Sequence, residues 1–364
     1  MPLVPARTTT RLTRLAAIVA ATALTAGCSL MGGSAEPDRS SGSGDGSSAG
    51  GTVVLVTHDS WFLPKRVIRA FEEESGYTLQ VQSAGDAGTL TNKLVLTADD
   101  PTGDVAFGVD NTFASRALDA GVFDTAGVDL APGADAFALP DGGDRLIPVD
   151  HANVCVNIDT TWFDDHDLTP PRTLDDLADP AYRDLFVIPG ASTSSPGMAF
   201  LLTTIAVFGD GWPDYWARLM DNGAELVPGW TEAYEGEFTQ GGGNGSKPIV
   251  VSYDSSPAFT VSKGVTTTAA LLDTCFQQVE YAGVLAGAKN PDGARALLEF
   301  LQGPEVQRAL PESMYVFPVR DGTELPTQWA RFAQQPSDPA TLDPAEISAN
   351  RSDWLTTWTE VTTR

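Results

Sequence analysis

The sequence has little positive charge, few histidines and few cysteines. Its 364 residues hold 22 Lys and Arg against 48 Asp and Glu, a formal net charge of −26. Such a surface repels phosphate backbones and anionic lipid, which argues against nucleic acid as a partner. With three cysteines and three histidines, no Cys/His cluster has the spacing of a zinc site. We therefore expect neither a cofactor nor a bound metal ion.

The common catalytic motifs are absent as well. There is no HExxH arrangement, and "GASTSS" fails at the second glycine of a G-x-S-x-G elbow. "GGGNGSK" lacks the Gly-Lys-Ser/Thr ending of a phosphate-binding loop. A Ser-His-Asp triad assembled only by the fold stays open, because its geometry need not show in sequence. The sequence thus favours a protein that is not an enzyme.

The N-terminus has the layout of an export signal. Arg7, Arg11 and Arg14 precede the 12-residue apolar run "LAAIVAATALTA", which is too short to span a bilayer. The run leads into "LTAGC", which resembles the lipobox of bacterial lipoproteins. We expect residues 1–28 to be a lipoprotein signal peptide, with lipidated Cys28 holding the protein on the outer face of the cytoplasmic membrane. The alternative is an ordinary secretory signal with an incidental cysteine.

The rest of the chain divides into a tether and a patterned region. Residues 29–52 are rich in Gly and Ser, which predicts a flexible tether. From Thr52 onward, strands alternate with helices across short links, and this predicts an α/β fold with a largely parallel sheet. The pattern runs twice and is joined by two long strands, near residues 149–158 and 276–285. Two lobes with two connecting strands make a hinge.

The predicted boundaries follow from this pattern. Residues 53–148 with 281–320 form lobe 1, residues 149–280 form lobe 2, and residues 321–364 form a C-terminal helical segment that we assign to neither lobe. Cys155 and Cys275 could form a disulfide in an exported protein, or could remain two separately buried thiols.

A set of motifs carries a resemblance to a known family. In the order in which they occur, these are "THDSWFLPKRVIRAFEEESGYTLQV", "TLTNKLVLT", "DVAFGVDNTFASRALDAGVF", "ASTSSPGMAFLL", "GWTEAYEGE", "VVSYDSSPA", "QQVEYAGVL", "YVFPVR" and "LDPAEISANRSDWLTTWTEVTTR". From Val53 to its end, the chain resembles the thiamine-binding proteins of bacterial ABC importers. The resemblance implies a two-lobed type II periplasmic solute-binding fold that closes on thiamine, its monophosphate or its diphosphate. It also implies a monomer that passes its ligand to a membrane permease and touches the membrane only through the lipid anchor.

The resemblance and the chemistry of thiamine together suggest the site. A permanent thiazolium cation needs aromatic faces and carboxylates, and a phosphate tail needs hydroxyls and free N–H groups at a helix N-terminus. The candidate aromatic and acidic residues are Asp59, Trp61, Asp150, Trp230, Tyr234, Tyr253, Glu280 and Tyr315. The candidates for the tail are Ser192, Thr193 and Ser194, together with Gly88 and Thr89 from the first lobe. We expect Glu232 to point away, since it is two residues from each ring of "GWTEAY".

Two positions depart from the family pattern, and three other functions stay open. His151 replaces an aromatic residue, and Tyr315 falls where relatives can carry Trp. The same fold could bind another cationic solute, a polyamine or ferric ion. The chain could also be an exported hydrolase that uses one of its serines, or a surface adhesin with a large exposed apolar patch.

Overall fold

Runs of β-branched and apolar residues form one mixed sheet of nine strands in the computed structural model, which describes residues 50–363. The predicted signal peptide with Cys28, and most of the tether, lie outside the described residues. The strands are β1 Thr52–Thr57, β2 Thr78–Ser83, β3 Val105–Asp110, β4 Ile147–Asp159, β5 Phe186–Pro189, β6 Glu225–Val227, β7 Ile249–Tyr253, β8 Thr268–Val284 and β9 Phe317–Pro318.

Two groups of parallel strands make up the two sides of the sheet. β1 pairs in parallel with β2 and β3, and β5 pairs in parallel with β6 and β7. The long strands β8 and β4 run between the groups and pair antiparallel with each other, with β3 and with β7. The order is β2-β1-β3-β8-β4-β7-β5-β6, with β9 against β4. The two long connecting strands expected from the sequence are therefore β4 and β8.

Helices cover both faces of the sheet. They are α1 Lys65–Ser75, α2 Ala87–Leu96, α3 Ala114–Asp119, α4 Thr160–Asp165, α5 Ser195–Phe208, α6 Trp212–Asp221, α7 Ser256–Phe259, α8 Pro291–Leu301, α9 Pro304–Met314, α10 Thr327–Phe332 and α11 Pro344–Thr362. A π-helix spans Thr231–Glu237, and 3₁₀ turns lie at Ala134–Phe137, Asp175–Ala178, Pro180–Tyr182 and Gly209–Gly211. Within residues 50–363, none of the helices is long and apolar enough to cross a bilayer.

The last helix joins the two halves of the sheet. The Arg351 guanidinium lies 4.2 Å from the centre of the Phe113 ring, which follows β3. Further along α11, Trp358 packs edge-on against Trp216 of α6, with 5.7 Å between ring centres. The C-terminal segment left unassigned from the sequence therefore contacts elements from both predicted lobes.

A disulfide links the two connecting strands. Cys155 on β4 and Cys275 on β8 are bonded, 120 residues apart in the chain. Val154 pairs with Phe276 and Val156 with Leu271, so the residues of β8 between these partners bulge from the ladder opposite Cys155. The bridge fastens this bulge to β4.

Removing the bridge should lower stability. We expect the double variant Cys155→Ala/Cys275→Ala to lose about 2–4 kcal/mol of unfolding free energy, because the crosslink closes a long loop of the unfolded chain. Guanidinium unfolding would measure this difference. A reductant should lower the unfolding midpoint of the natural chain and leave that of the variant unchanged. Equal midpoints of the natural chain and the variant in the absence of reductant would contradict the prediction.

Candidate ligand-binding site

A cleft of about 410 Å³ lies between the two halves of the protein. Its walls come from the loops that follow β1, β2 and β7, from the π-helix, from β8 and from the segment after α9. Ligands of α/β sheets bind at such carboxyl ends of strands. The predicted ligand contacts that line the cleft are Asp59, Trp61, Trp230, Tyr234, Tyr253, Glu280 and Tyr315.

Trp230 and Tyr234 form one aromatic wall. Their rings stack with 5.1 Å between centres and 9° between planes. Tyr234 lies in a widened turn of the π-helix, in which the Phe238 N–H donates to the Ala233 carbonyl five residues back, and Trp230 lies just before the helix. The Trp230 indole N–H donates to the Ser252 hydroxyl at 2.8 Å, which fixes the ring in the cleft.

Tyr253 and Tyr315 extend this wall from two other elements. Tyr253 ends β7, with its ring centre 6.2 Å from that of Trp230. Tyr315 ends α9 in the left-handed region at φ +58°, and its carbonyl accepts from the Ser255 hydroxyl at 2.6 Å. Its ring packs edge-on against Phe259, 4.8 Å between centres. A non-glycine residue in this backbone conformation costs about 1–3 kcal/mol and is often found at binding sites.

Glu280 and Asp150 form a buried acidic pair. They face each other on β8 and β4; Glu280 lines the cleft, and Asp150 lies behind it. Burial raises the pKa of Asp150 to about 8. Burial, followed by the charge of Asp150, raises the pKa of Glu280 well above its usual range. Both oxygens of Asp150 are buried without a hydrogen-bond partner among the described residues, and two neighbouring buried carboxylates repel each other, so the pair holds a proton at neutral pH.

His58 lies beside this pair without balancing its charge. Its Nε2 atom is 3.4 Å from Oε1 of Glu280. Burial lowers the pKa of His58 to about 4, so the ring is neutral at pH 7. Asp59 and Trp61, which follow His58 in the sequence, were among the predicted site residues, but His58 was not.

Further acids line the cleft near its mouth. Burial raises the pKa of Asp59, and the nearby charge of Glu232 raises it further. Glu232 is exposed and does not line the cleft, as its spacing predicted. Glu235 does line it, and the sequence reasoning missed it. Among the residues that the structure describes, no lysine or arginine lines the cleft.

The residues predicted for a phosphate tail lie outside the cleft lining. The Thr193 hydroxyl donates to the Pro228 carbonyl at 2.6 Å, and the Thr89 N–H donates to the Thr193 carbonyl at 3.1 Å. A Cβ on Gly88 would lie 2.7 Å from the carbonyl carbon of Thr193. Ser192 and Ser194 are likewise absent from the lining. The contacts of Gly88 and Thr89 with Thr193 therefore join the two predicted lobes. The residues near the start of α5 that do line the cleft are Asp86 and Ser195, which were not among the candidates from the sequence.

His151, one of the two departures, lies away from the cleft. Its ring stacks between Phe137 and Phe317, at 4.3 Å and 5.4 Å between centres. Burial lowers the pKa of His151 to about 4, so it stays neutral in this stack. It therefore keeps the packing role of an aromatic residue.

Comparison with known proteins identifies relatives over most of the chain. The chain is 30% identical over 326 residues to the thiamine-binding periplasmic protein of Brucella suis biovar 1, covering 86% of this chain and 92% of the relative. It is 29% identical over 321 residues to the thiamine-binding periplasmic protein of Escherichia coli K12, covering 86% and 94%. A solved structure of a periplasmic thiamin binding protein matches with a TM-score of 0.75 and 28% identity, covering 86% of this chain and 96% of that one.

These matches confirm the fold class predicted from the sequence, a two-lobed type II periplasmic solute-binding protein. The profile of the family described as "Bacterial extracellular solute-binding protein" matches residues 62–308. With this match and a cleft between two halves joined by β4 and β8, the chain belongs to the bacterial extracellular solute-binding proteins.

Proposed function

We propose that this protein is the extracytoplasmic subunit of an ABC importer that binds thiamine in the cleft between its lobes and delivers it to the permease. The main observation behind this proposal is the lining of the cleft. Stacked aromatic rings and several carboxyl groups line it, and none of the described residues there is a lysine or arginine. The names of the relatives add to it, since they are thiamine-binding periplasmic proteins. Membership of a solute-binding family also fits a protein that transports its ligand without transforming it.

The aromatic faces and the acidic groups of the cleft suit an organic cation. A cation over an aromatic face contributes about 2 kcal/mol once it is desolvated, and Trp230 and Tyr253 offer such faces. The buried pair of Glu280 and Asp150 lacks a cationic partner, because neighbouring His58 is neutral. A thiazolium ring would supply that positive charge while its flat faces rest on the aromatic wall.

Transport requires the lobes to open and close around the guest. In our proposal lobe 1 spans residues 53–148 and 281–320 and lobe 2 spans residues 149–280, with the hinge in β4 and β8. A guest that touches both lobes stabilises the closed form in proportion to the extra contacts it makes there. Asp59 from lobe 1 and Trp230 from lobe 2 would make such contacts.

Gly88 tests whether closure matters. We expect Gly88→Ala to weaken thiamine binding about tenfold, because its Cβ would press on the Thr193 backbone across the lobe junction; tenfold corresponds to about 1.4 kcal/mol. Calorimetric titration measures it. Gly121→Ala is the matched control at an open position, where a Cβ would have nothing within 4 Å. Since Gly121 has φ +68°, this control should lower stability without changing affinity. Unchanged affinity in Gly88→Ala would contradict the expectation.

The anchor follows from the N-terminal sequence. In our proposal Cys28 is lipidated, and the tether lifts the binding unit off the outer face of the cytoplasmic membrane. Cys28→Ser should move the protein from the membrane fraction to the soluble exported fraction and remove incorporation of labelled palmitate. A variant that stays in the membrane fraction without label would contradict the lipid anchor.

Two of the competing functions can be compared with the described part of the chain. No group of three or more His, Cys, Asp or Glu side chains within residues 50–363 is arranged to hold a metal ion, while tyrosine phenols, which could also bind ferric ion, do line the cleft. None of the histidines within residues 50–363 hydrogen-bonds a serine, as a hydrolase triad would need. Their contacts are His58 with Glu280, His151 with two phenylalanines, and His166 with Trp162.

Isothermal titration of thiamine into the chain lacking its first 28 residues tests the proposal. We expect saturable binding with one site per chain. Affinity weaker than about 1 mM, which is only about 4 kcal/mol, would reject the assignment. Parallel titrations with spermidine and ferric citrate separate the alternatives, since tighter binding of either would assign the cleft to that solute.

A further inference from the structure

The last helix, α11, is fixed to lobe 2 near both of its ends. Just before the helix, the Ala340 N–H donates to the Cys275 carbonyl of β8 at 2.8 Å, and the Ala340 carbonyl accepts an N–H from the same strand at 3.2 Å. Near the end of the helix, Trp358 packs edge-on against Trp216 of α6, which is fully buried. Because Cys275 and α6 both belong to the proposed lobe 2, we expect α11 to move with that lobe.

The middle of α11 contacts lobe 1 instead. The Arg351 guanidinium lies 4.2 Å from the centre of the Phe113 ring, which lies between β3 and α3. One turn earlier in α11, the Ser348 hydroxyl donates to Oδ2 of Asp119, the last residue of α3, at 3.3 Å. The helix is therefore anchored on lobe 2 at its two ends and touches lobe 1 between them.

Arg351 is buried at this junction without an ion pair. Only 6% of the residue is exposed, and its Nε atom has no hydrogen-bond partner among the described residues. The ion pairs of those residues do not include it. Burial lowers the pKa of Arg351 to about 10, so the guanidinium stays charged at neutral pH. A buried cation needs a partner, and the face of Phe113 supplies one here.

Phe113 carries this contact to the place where the lobes meet. Its ring is fully buried, and a Cβ on Gly88 would lie 2.8 Å from its Cζ atom, so the ring packs directly beneath Gly88. The next residue, Thr89, donates its N–H to the Thr193 carbonyl of lobe 2 at 3.1 Å. Arg351 thus supports a ring that lies under the backbone joining the two proposed lobes in this structure.

Opening of the lobes has to break one of the contacts of α11. When lobe 1 turns away from lobe 2 about β4 and β8, Phe113 moves with lobe 1. The backbone pairing of Ala340 and the aromatic packing of Trp358 hold α11 on lobe 2. The contact between Arg351 and Phe113 is therefore the one that should separate. A contact that exists only in the closed form raises the population of that form and, with it, the affinity for a guest.

We propose that Arg351 is a positioning residue for lobe closure, which holds Phe113 from outside the cleft and so stabilises the closed form that retains the guest. Arg351 does not line the cleft, so it would change the affinity without touching the ligand. This inference rests on the proposed function, because thiamine binding is the readout of closure.

The variant Arg351→Met tests this role, since methionine keeps an apolar stem in the buried position and removes the charge. Thiamine is titrated calorimetrically into the full chain in detergent and into the variant, and stopped-flow tryptophan fluorescence gives the two rate constants. We expect the affinity to fall about tenfold through faster dissociation, with association within about twofold of the natural rate, because only the closed form loses a contact. Arg351→Lys should recover part of the loss, since it returns a cation to the ring.

Arg331→Met is the matched control. The Arg331 guanidinium lies 4.9 Å from the centre of the Phe332 ring, but both residues belong to α10, so this contact joins no two lobes. Its loss should leave both rate constants unchanged. The double variant Arg351→Met/Phe113→Leu should bind no more weakly than Phe113→Leu alone, because the contact is already broken. If Arg351→Met does not fold, Phe113→Leu breaks the contact from the other side and should also speed dissociation.

The outcomes separate this role from a purely structural one. A lower melting temperature of Arg351→Met with an unchanged dissociation rate would assign the residue to stability alone and overturn the inference, with thiamine binding intact. Tighter binding by Arg351→Met, or an equal loss in Arg331→Met, would overturn it as well. Failure of the natural chain to bind thiamine would overturn the proposed function and this inference with it.

Discussion

Replacing Trp230 with alanine should weaken thiamine binding at least roughly 30-fold, the equivalent of about 2 kcal/mol for a desolvated cation on an aromatic face. The ring is held in the cleft by its stack on Tyr234 and by its bond to Ser252. Truncation leaves the guest cation without this face and lets water reach the carboxyl groups. Calorimetric titration of the natural chain and the variant measures the difference.

The control for this variant is another tryptophan in a ring stack. Trp162 stacks on His166 with 3.9 Å between ring centres and does not line the cleft. Trp162→Ala should leave affinity unchanged, and Trp230→Phe should recover part of the loss because it restores an aromatic face. Melting temperatures of all variants separate a loss of binding from a loss of folding. An Asp86 contact to the Trp230 backbone remains in each variant. Affinity within threefold of the natural value in Trp230→Ala would contradict the aromatic-wall account.

Thiamine affinity should rise with pH, approaching tenfold per unit below about pH 8. Burial raises the pKa of Asp150 to about 8 and that of Glu280 well above its usual range, so the pair is protonated in the empty cleft at neutral pH. A guest cation favours the ionised pair, and binding therefore releases a proton. At higher pH the pair has already lost this proton before the guest binds, so binding no longer has to remove it and the affinity is higher. Titrations between pH 6.5 and 8.5 in buffers of different ionisation enthalpy would count the protons released.

The stability of the empty protein should change in the opposite direction. The pKa of Asp150 is raised by folding, so the folded state binds a proton that the unfolded chain has already lost above about pH 4. That contribution to stability is complete below the unfolded pKa and is lost as the pH rises toward 8. The shift in melting temperature caused by thiamine should therefore grow over the same range.

A double variant tests the origin of this pH dependence. Asp150→Asn/Glu280→Gln should flatten the slope, and the remainder should come from Asp110, whose pKa burial raises to about 7. The charges of Asp110 and Asp86 also raise the pKa of Glu280, and Asp59 is a further acid in the lining of the cleft. A natural protein whose affinity does not vary between pH 6.5 and 8.5 would contradict proton-linked binding.

The features that follow from local sequence were predictable. The apolar runs that became β4 and β8 identified the hinge, and "GWTEAY" identified the aromatic wall at Trp230 and Tyr234. The spacing of Glu232 from both rings placed it outside the cleft. In each case residues close in sequence decide the geometry, through strand or helix periodicity.

The features that depend on distant residues were not predictable from the pattern. Asp86 meets Ser195 across the lobe junction, although the two are 109 residues apart. Nothing in "ASTSSPG" indicated this partner. Glu235 lines the cleft, and it lies in Thr231–Glu237, which forms a π-helix. The hydrogen bonds of a π-helix span five residues, so the spacing of an ordinary α-helix does not predict which side chains share a face. A contact between polar or acidic residues that are far apart in the sequence can be seen only in the folded structure.

A crystal structure of the protein grown with thiamine is the most direct test of the central claim. The account predicts a thiazolium ring in the cleft between the lobes, with one face toward Trp230 or Tyr253 and its charge toward Glu280. Thiamine bound elsewhere, or an empty cleft in crystals whose protein binds thiamine in solution, would contradict it.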